Sequence, residues 1–407
     1  MTIKKRAISY IKHKLSSNDL LDLISKYVVV NLAQLIFLIK YRSHKVDSKK
    51  IVFECFQGRN VSDSPLSLYK ELINTRKDLS FVWVLNSVEH GLYDQLSNNS
   101  NTTVVIYNTA EYDIEYATAG YWITNCRLPF RLFKKKNQKY IQCWHGTPLK
   151  KLGLDIEVGA YSTTSMAGMR FSYGVDSSRY DYFLSPSKYA SEKFCSSFNI
   201  PTKSIIELGY PRNDSLINDM GNTSKIDRVK AKLNINESKT VVLYAPTWRD
   251  KQYSILNNNY YFDNPLENDD FIEQFDDSFV FLFRGHYFTE SDKQSRRFID
   301  VSSYNDINDL FLISDILITD YSSVFFDFAL LNRPIYFYMY DREHYEKEAR
   351  GFYLDIDYDL PGEIFENSIL LSKAVKSGVG STHNDFNAVY NPFEDGKSAC
   401  RIISEFL

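Results

Sequence analysis

From residue 48 onward the chain alternates between two hydrophobic patterns. KIVFECF (50–56), SFVWVLN (80–86), TTVVIYN (102–108), GYWITNC (120–126) and KYIQCWH (139–145) are short runs of β-branched and aromatic residues, which read as strands. Between them SPLSLYKELINT (64–75) and NTAEYDIEYATA (108–119) read as helices. Buried strands joined by helices imply a parallel sheet with right-handed crossovers. A second series, DYFLSPS, SIIELGYP, TVVLYAPTW, FVFLFRGH, DILITDYSS and PIYFYMY, begins near residue 181. The polar, turn-rich stretch 218–239 falls inside it and marks a linker. A chain of 407 residues exceeds one hydrophobic core. The expectation is an α/β protein with two doubly wound, Rossmann-like domains facing a cleft, 48–210 and 211–407. Ligands then lie outside the carboxyl ends of the strands.

The first 47 residues differ. In LLDLISKYVVVNLAQLIFLIKYR (20–42), Leu21, Ile24, Val28, Leu32, Leu35 and Ile39 recur at helical spacing as an apolar stripe. Its most apolar part, Tyr27 to Ile39, is 13 residues interrupted by Asn31 and Gln34, short for a bilayer span. Residues 1–50 hold eleven Lys or Arg and three Asp, a balance of +8; with −3 overall, the remainder carries −11. Segment 1–47 therefore reads as a basic amphipathic helix lying on an anionic membrane surface. The alternative is a helix packed on the protein's own core.

Composition narrows the chemistry. Hydrophobic residues make up 44% and charged residues 24%, as in a folded globular protein. Five scattered cysteines without a CxxC pair indicate neither a zinc site nor a disulfide framework, and suit a reduced cytosolic compartment. No nucleic-acid partner is expected.

Unusual residues gather where strands end. His145 follows one strand, Thr247, Trp248 and Arg249 a second, and Arg284 and His286 a third. Asp320, Tyr321, Ser322 and Ser323 follow a fourth and open a helix that continues through Asp327. Unpaired amides at that helix start, with two hydroxyls beside them, form an anion site suited to a diphosphate. Plain N-capping by serine is the alternative. The chain has no P-loop or GxGxxG fingerprint, and DIDYD (355–359) reads as a surface turn. Neither a metal nor a cofactor is expected, so arginine, histidine and the helix start must neutralise the phosphates.

In order along the chain stand FECFQGRNVSDSPLSLYKEL, YIQCWHGTPLKKLGLDI, GYPRND, LYAPTWRD, RGHY, DLFLISDILITDYSSVFFDFALLNRPIYFYMYD and RGFYLDIDYDLPG. Together they resemble the CDP-glycerol glycerophosphotransferase family of teichoic-acid primases and polymerases, from about residue 49 to the C-terminus. The resemblance implies a GT-B-like fold, a CDP-alcohol donor and a lipid-linked anionic polymer as acceptor at the cytoplasmic side of the cell membrane. Two positions depart from the family pattern: Gln57 stands where a histidine is usual, and Gly285 where a bulkier residue is usual.

On this reading the acceptor hydroxyl attacks the β-phosphorus of CDP-glycerol and CMP leaves. His145 is the expected base, because histidine titrates nearest neutral pH. His286 is the second catalytic candidate and, with Arg284, a phosphate ligand; Arg249, Ser322, Ser323 and Asp327 complete the expected donor site. Lys150, Lys151 and Gln57 are expected on the acceptor side, and the basic run RLFKKKNQK (131–139) either guides a polyanion or is a solvated loop. CDP-ribitol or a capsule polymer fits the same residues. A sugar-transferring GT-B enzyme and a polymer-binding scaffold are more distant alternatives. Oligomeric state leaves no mark in the sequence.

Overall fold

Strand β1 (Asp47–Glu54) sets the pattern for the first half of the chain in the computed structural model, which describes residues 18–157, 164–247, 253–254, 259–260, 264–285, 297–348, 351–380 and 382–407. The last four residues of β1 are buried, and their side chains alternate between two faces. Ile51 and Phe53 enter one core with Leu68, Leu72 and Trp83. Val52 enters a second with Tyr112, Tyr116 and Trp122. A strand apolar on both faces needs cover on both, which is what the crossover helices supply.

Six further strands join β1: β2 (Ser80–Leu85), β3 (Thr102–Ile106), β4 (Ala119–Thr124), β5 (Lys139–Gln142), β6 (Tyr182–Ser185) and β7 (Ile205–Glu207). All pairings are parallel, in the order β3-β2-β1-β4-β5-β6-β7. The order reverses between β1 and β4, so the loops leaving those two strands diverge and open a crevice.

Helix α1 (Asp19–Tyr41) begins at Asn18, whose side chain accepts from the Leu21 amide. Its buried side chains are Asp22, Val30, Phe37 and Tyr41, and the last two enter the Val52 core. Lys135 Nζ donates to the carbonyls of Tyr41 and His44 and so ties down the helix end. The six expected stripe residues, Leu21 to Ile39, are all exposed. Neither sequence reading matches fully. One side of α1 belongs to the core of the first unit, and the apolar stripe faces away from it. The helix itself carries two lysines and two aspartates, so the basic charge sits on its flanks. At 23 residues it is also long and apolar enough to cross a bilayer by length and composition, where the sequence reading made its apolar part too short.

The second sheet contains β8 (Thr240–Tyr244), β11 (Phe279–Phe283), β12 (Phe298–Asp300), β13 (Ile316–Thr319), β14 (Ile335–Tyr338) and β15 (Glu363–Phe365), again parallel, in the order β12-β11-β8-β13-β14-β15. A small antiparallel pair, β9 (Tyr253–Ser254) and β10 (Asn259–Tyr260), lies apart from it. Val242, Phe281 and Ile318 enter a core with Leu371 and Val375. Here the order reverses between β8 and β13.

The chain divides into two compact units, residues up to Arg212 with Lys397–Leu407, and Asn213–Gly396. Two features differ from expectation. The expected linker is largely helical, Pro211–Asn218 and Thr223–Lys232. Residues 397–407, expected in the second domain, return to the first. There Ile402, on the helix Ser398–Phe406, joins the core of Leu68 and Leu72, and Arg401 donates to the Leu208 carbonyl at 3.1 Å.

Candidate active site

In the first unit, backbone strain gathers at the strand ends. Phe56 and Gln57, just past β1, have φ of 47° and 60°, and Trp144, just past β5, has φ of 53°. Side chains rarely adopt this left-handed region, at a cost on the order of 1–3 kcal/mol each. Gly58 follows with φ of 77°, and a Cβ there would lie 2.6 Å from the Leu85 backbone. The turn after β1 is thus pressed against the end of β2.

His145 follows the strained Trp144. The two rings stack with centroids 4.5 Å apart, and Phe56 lies 5.8 Å away. His145 is exposed to solvent. Its Nδ1 lies 2.6 Å from the Asn125 carbonyl oxygen. A carbonyl only accepts, so Nδ1 carries the proton and Nε2 keeps the lone pair. Desolvation by the surrounding protein lowers the pKa from its usual value. The Asn125 carbonyl and Asp63 oppose that shift, and Arg212 adds to it. The ring is therefore a neutral base at pH 7.

Around it runs a network that the sequence reading did not assign. The Asn125 side chain accepts from the Phe56 amide at 3.0 Å and donates to Asp63 at 2.9 Å. Asp63 pairs with Arg212 at 3.7 Å, and Arg212 lies over the Tyr210 ring at 4.1 Å. Tyr210 and Tyr189 donate to the carbonyls of Gly146 and Pro148, which pins the turn after His145. Asp63 and Arg212 stand in stretches whose resemblance was visible, VSDSPLS and GYPRND, but nothing in their spacing tied them to His145.

A cavity of about 1100 Å³ opens beside this network, between α1, the helix α2 (Met166–Ser177) and the loops leaving β1, β3 and β4. Gln57 lines it and accepts from Arg59 at 3.1 Å. Of the two expected acceptor lysines, Lys151 forms a surface ion pair with Glu157 at 3.0 Å, and Lys150 is half-buried. The basic run is mostly engaged in holding the unit together. Arg131 grips Asp113, Lys134 reaches Asp181 at 2.6 Å, and Lys135 caps α1. At the end of β1, Glu54 is fully buried, accepts from Tyr116 at 2.7 Å, and has its pKa pushed up to about 7 by burial.

In the second unit, Asp320 is buried past β13 and accepts from the Thr247 amide past β8 at 2.7 Å. Tyr321 stacks on Tyr345 with centroids 3.8 Å apart. Ser322 and Ser323 are half-buried, and Ser323 precedes helix α3 (Val324–Phe328) without a side-chain capping bond. Simple N-capping is thus not its role, although α3 has only five residues and its dipole is correspondingly small. Asp327 is buried and accepts from Asn213 at 3.1 Å, so one of its carboxylate oxygens is engaged within the unit. Arg284 turns Nη1 to the carbonyls of Val301 and Tyr304, and desolvation lowers its pKa to about 10; it stays charged at pH 7, and its other nitrogens have no hydrogen-bond partner among the described residues. Arg249 and His286 lie outside the described residues. Among the described residues no cluster of His, Cys, Asp or Glu is arranged to hold a metal.

Over residues 35–407 the sequence matches the protein family described as CDP-glycerol:poly(glycerophosphate) glycerophosphotransferase. It is 38% identical over 368 residues to the teichoic acid glycerol-phosphate transferase of Staphylococcus aureus, covering 88% of this chain and 93% of that one. It is 38% identical over 340 residues to the teichoic acid poly(glycerol phosphate) polymerase of Staphylococcus epidermidis, covering 83% of this chain; it spans only 46% of that relative's length. Among solved structures, the wall teichoic acid polymerase TagF matches with a TM-score of 0.83 at 34% identity, over 94% of this chain and 95% of that chain. That polymerase has also been solved as a histidine-to-asparagine variant soaked with CDPG. The likeness establishes a GT-B-like fold of two parallel-sheet units.

Proposed function

This chain belongs to the CDP-glycerol:poly(glycerophosphate) glycerophosphotransferase family, and from that premise we propose that it transfers glycerol phosphate from CDP-glycerol to a lipid-linked anionic polymer, releasing CMP. The first unit is the acceptor side and the second the donor side. The observation that carries the reading is His145: a neutral, exposed imidazole whose Nδ1 proton is fixed on the Asn125 carbonyl, leaving Nε2 to take a proton. The acceptor oxygen forms a bond to the β-phosphorus of CDP-glycerol, its proton passes to Nε2, and the anhydride bond breaks with the electron pair leaving on CMP. Ser322, Ser323 and the remaining nitrogens of Arg284 stabilise the charge that grows on CMP, with Arg249 and His286 as the further ligands expected from the sequence. Glycerol phosphate is favoured over ribitol phosphate because the relatives at 38% identity carry glycerol-phosphate names.

Incubation with CDP-glycerol and a lipid-linked acceptor is expected to release CMP and to raise the acceptor mass by glycerol phosphate units. Release of UDP from a UDP-sugar instead, with CDP-glycerol untouched, would replace this reading by sugar transfer. The donor side has its own test. Ser322→Ala combined with Ser323→Ala is expected to weaken CDP-glycerol binding about tenfold, through lost hydrogen bonds to phosphate. Unchanged affinity by calorimetry would move the donor site elsewhere.

Membrane attachment through α1 is the third part of the proposal. Ten large apolar side chains between Leu20 and Ile39 are exposed on it, more than a lone surface helix leaves in water. Deleting the segment would also remove Phe37 and Tyr41 from the core, so point substitutions are the cleaner probe. Leu32→Glu with Ile36→Glu is expected to cut binding to anionic liposomes about tenfold or more without changing the melting temperature. Equal liposome binding by the substituted and native proteins would exclude α1 as the anchor.

A further inference from the structure

We propose that the cavity between α1 and α2 is the binding site for the acceptor's lipid: the start of its hydrocarbon chain lies between the two helices and its phosphate lies on the loop side. The inference rests on the acceptor reading above and adds the site.

Three features of the cavity lead there. The first is position. Gln57 and Arg127 line it from the loops leaving β1 and β4, the two strands between which the sheet order reverses. Open parallel sheets bind ligands at this crevice. Asn125, which holds His145, is two residues from Arg127, and Phe56, which flanks the His145 ring, adjoins Gln57. A ligand seated here is therefore one loop away from the base.

The second feature is the division of the lining. Val29 and Val30 of α1 and Met169 and Tyr173 of α2 give the helical side apolar stretches, beside the paired Asp22 and Lys26, while Gln57, Asn108, Arg127 and Arg131 are the polar groups of the loop side. Val29 is 65% exposed and stands at the rim. It continues the apolar surface of α1 into the cavity, so a hydrocarbon chain passes from one apolar surface to the next without crossing water.

The third is donor capacity that the arginines of the lining leave unused. Asp22 is the carboxylate of the lining, and the bonds it accepts converge on its Oδ2. Lys26 bonds it at 2.8 Å, and Ser165 donates to it through both its amide and its hydroxyl. The two arginines each keep a nitrogen in reserve. Arg127 bonds Asp176 through Nε and the Ser172 carbonyl through Nη2, and it is braced at 4.2 Å on the Tyr173 ring. Arg131 bonds Asp113 through Nε and Nη2. Nη1 of both has no partner among the described residues. Two rigidly held guanidinium groups with open N–H bonds, beside apolar stretches of the helices, recognise a phosphate attached to a hydrocarbon chain.

The test is a long-chain alkyl phosphate carrying a diazirine in its chain, cross-linked to the full chain and mapped by mass spectrometry. The probe offers no hydroxyl for transfer, so labelling reads the cavity whether or not the chain transfers glycerol phosphate. Labels are expected on the α1 segment around Val29 and Val30 and on α2 around Met169. Filling the space with Ser172→Trp, or with Ser25→Trp should the first fail to fold, is expected to reduce them about tenfold. Inorganic phosphate in excess should leave them in place, since the chain supplies much of the affinity. Labels confined to the outer face near Leu32 and Ile36, or undiminished by the tryptophan, would overturn the proposal. Displacement by inorganic phosphate alone would overturn it as well, by reducing the site to a simple anion pocket.

Discussion

Replacing His145 by alanine is expected to slow CMP release by roughly 100-fold or more, the usual scale for losing a general base. CDP-glycerol affinity and the melting temperature should stay close to native. Two observations argue that the fold survives. The residue is exposed, and its one hydrogen bond among the described residues is to a backbone carbonyl that water can satisfy afterwards. A buried structural histidine, the alternative reading of WHGTPLK, would have neither property. The pH profile adds a second readout. Desolvation lowers the pKa of His145, so activity should hold as pH falls through the ordinary histidine value of about 6.5 and decline only below it. A stable His145→Ala protein that releases CMP at a near-native rate would remove the catalytic role altogether.

Glu54→Gln is expected to stabilise the protein at pH 8 by roughly 2–3 kcal/mol and to change little at pH 5. The carboxyl of Glu54 has a pKa of about 7 in the fold against 4.5 outside it. The folded state therefore holds its proton more tightly. The associated stability is fully present below pH 4.5 and is lost as pH rises through 7. Glutamine stays neutral at every pH and keeps an oxygen to accept from Tyr116. Thermal unfolding at both pH values checks this. An equal difference at pH 5 and pH 8 would mean that Glu54 is ionised or protonated throughout and that its burial is offset in another way.

The two sheets were legible because parallel strands buried on both faces leave uninterrupted apolar runs, and the helices between them keep their own period. His145 was legible for a related reason: it ends such a run. The rest of the first site was not. Asp63, Asn125 and Arg212 come from three distant segments, and only the register of β1 against β4 brings two of them together. Nor did the stripe on α1 disclose its direction. Apolar spacing marks a face without saying what covers it, and here the covered face includes the charged Asp22, whose partners Thr164 and Ser165 lie more than a hundred residues away. The basic run 131–139 stayed open between a polyanion guide and a solvated loop, because a charge count cannot tell which lysines already have an aspartate or a carbonyl. The helix Ser398–Phe406 has an apolar face suited to either sheet, and its length alone could not choose between them.

The return of residues 397–407 to the first unit has a consequence for biosynthesis. Chains emerge N-terminus first, and domains generally fold as units as they appear. The second unit is complete once Gly396 has left the ribosome, whereas the first, begun some two hundred residues earlier, still lacks Ala399 and Ile402 from its core. The half of the protein translated first is therefore the last to close. Until it does, the nascent chain carries an unfinished hydrophobic surface together with the exposed stripe of α1, and a premature stop late in the message would damage the His145 unit while leaving the other intact.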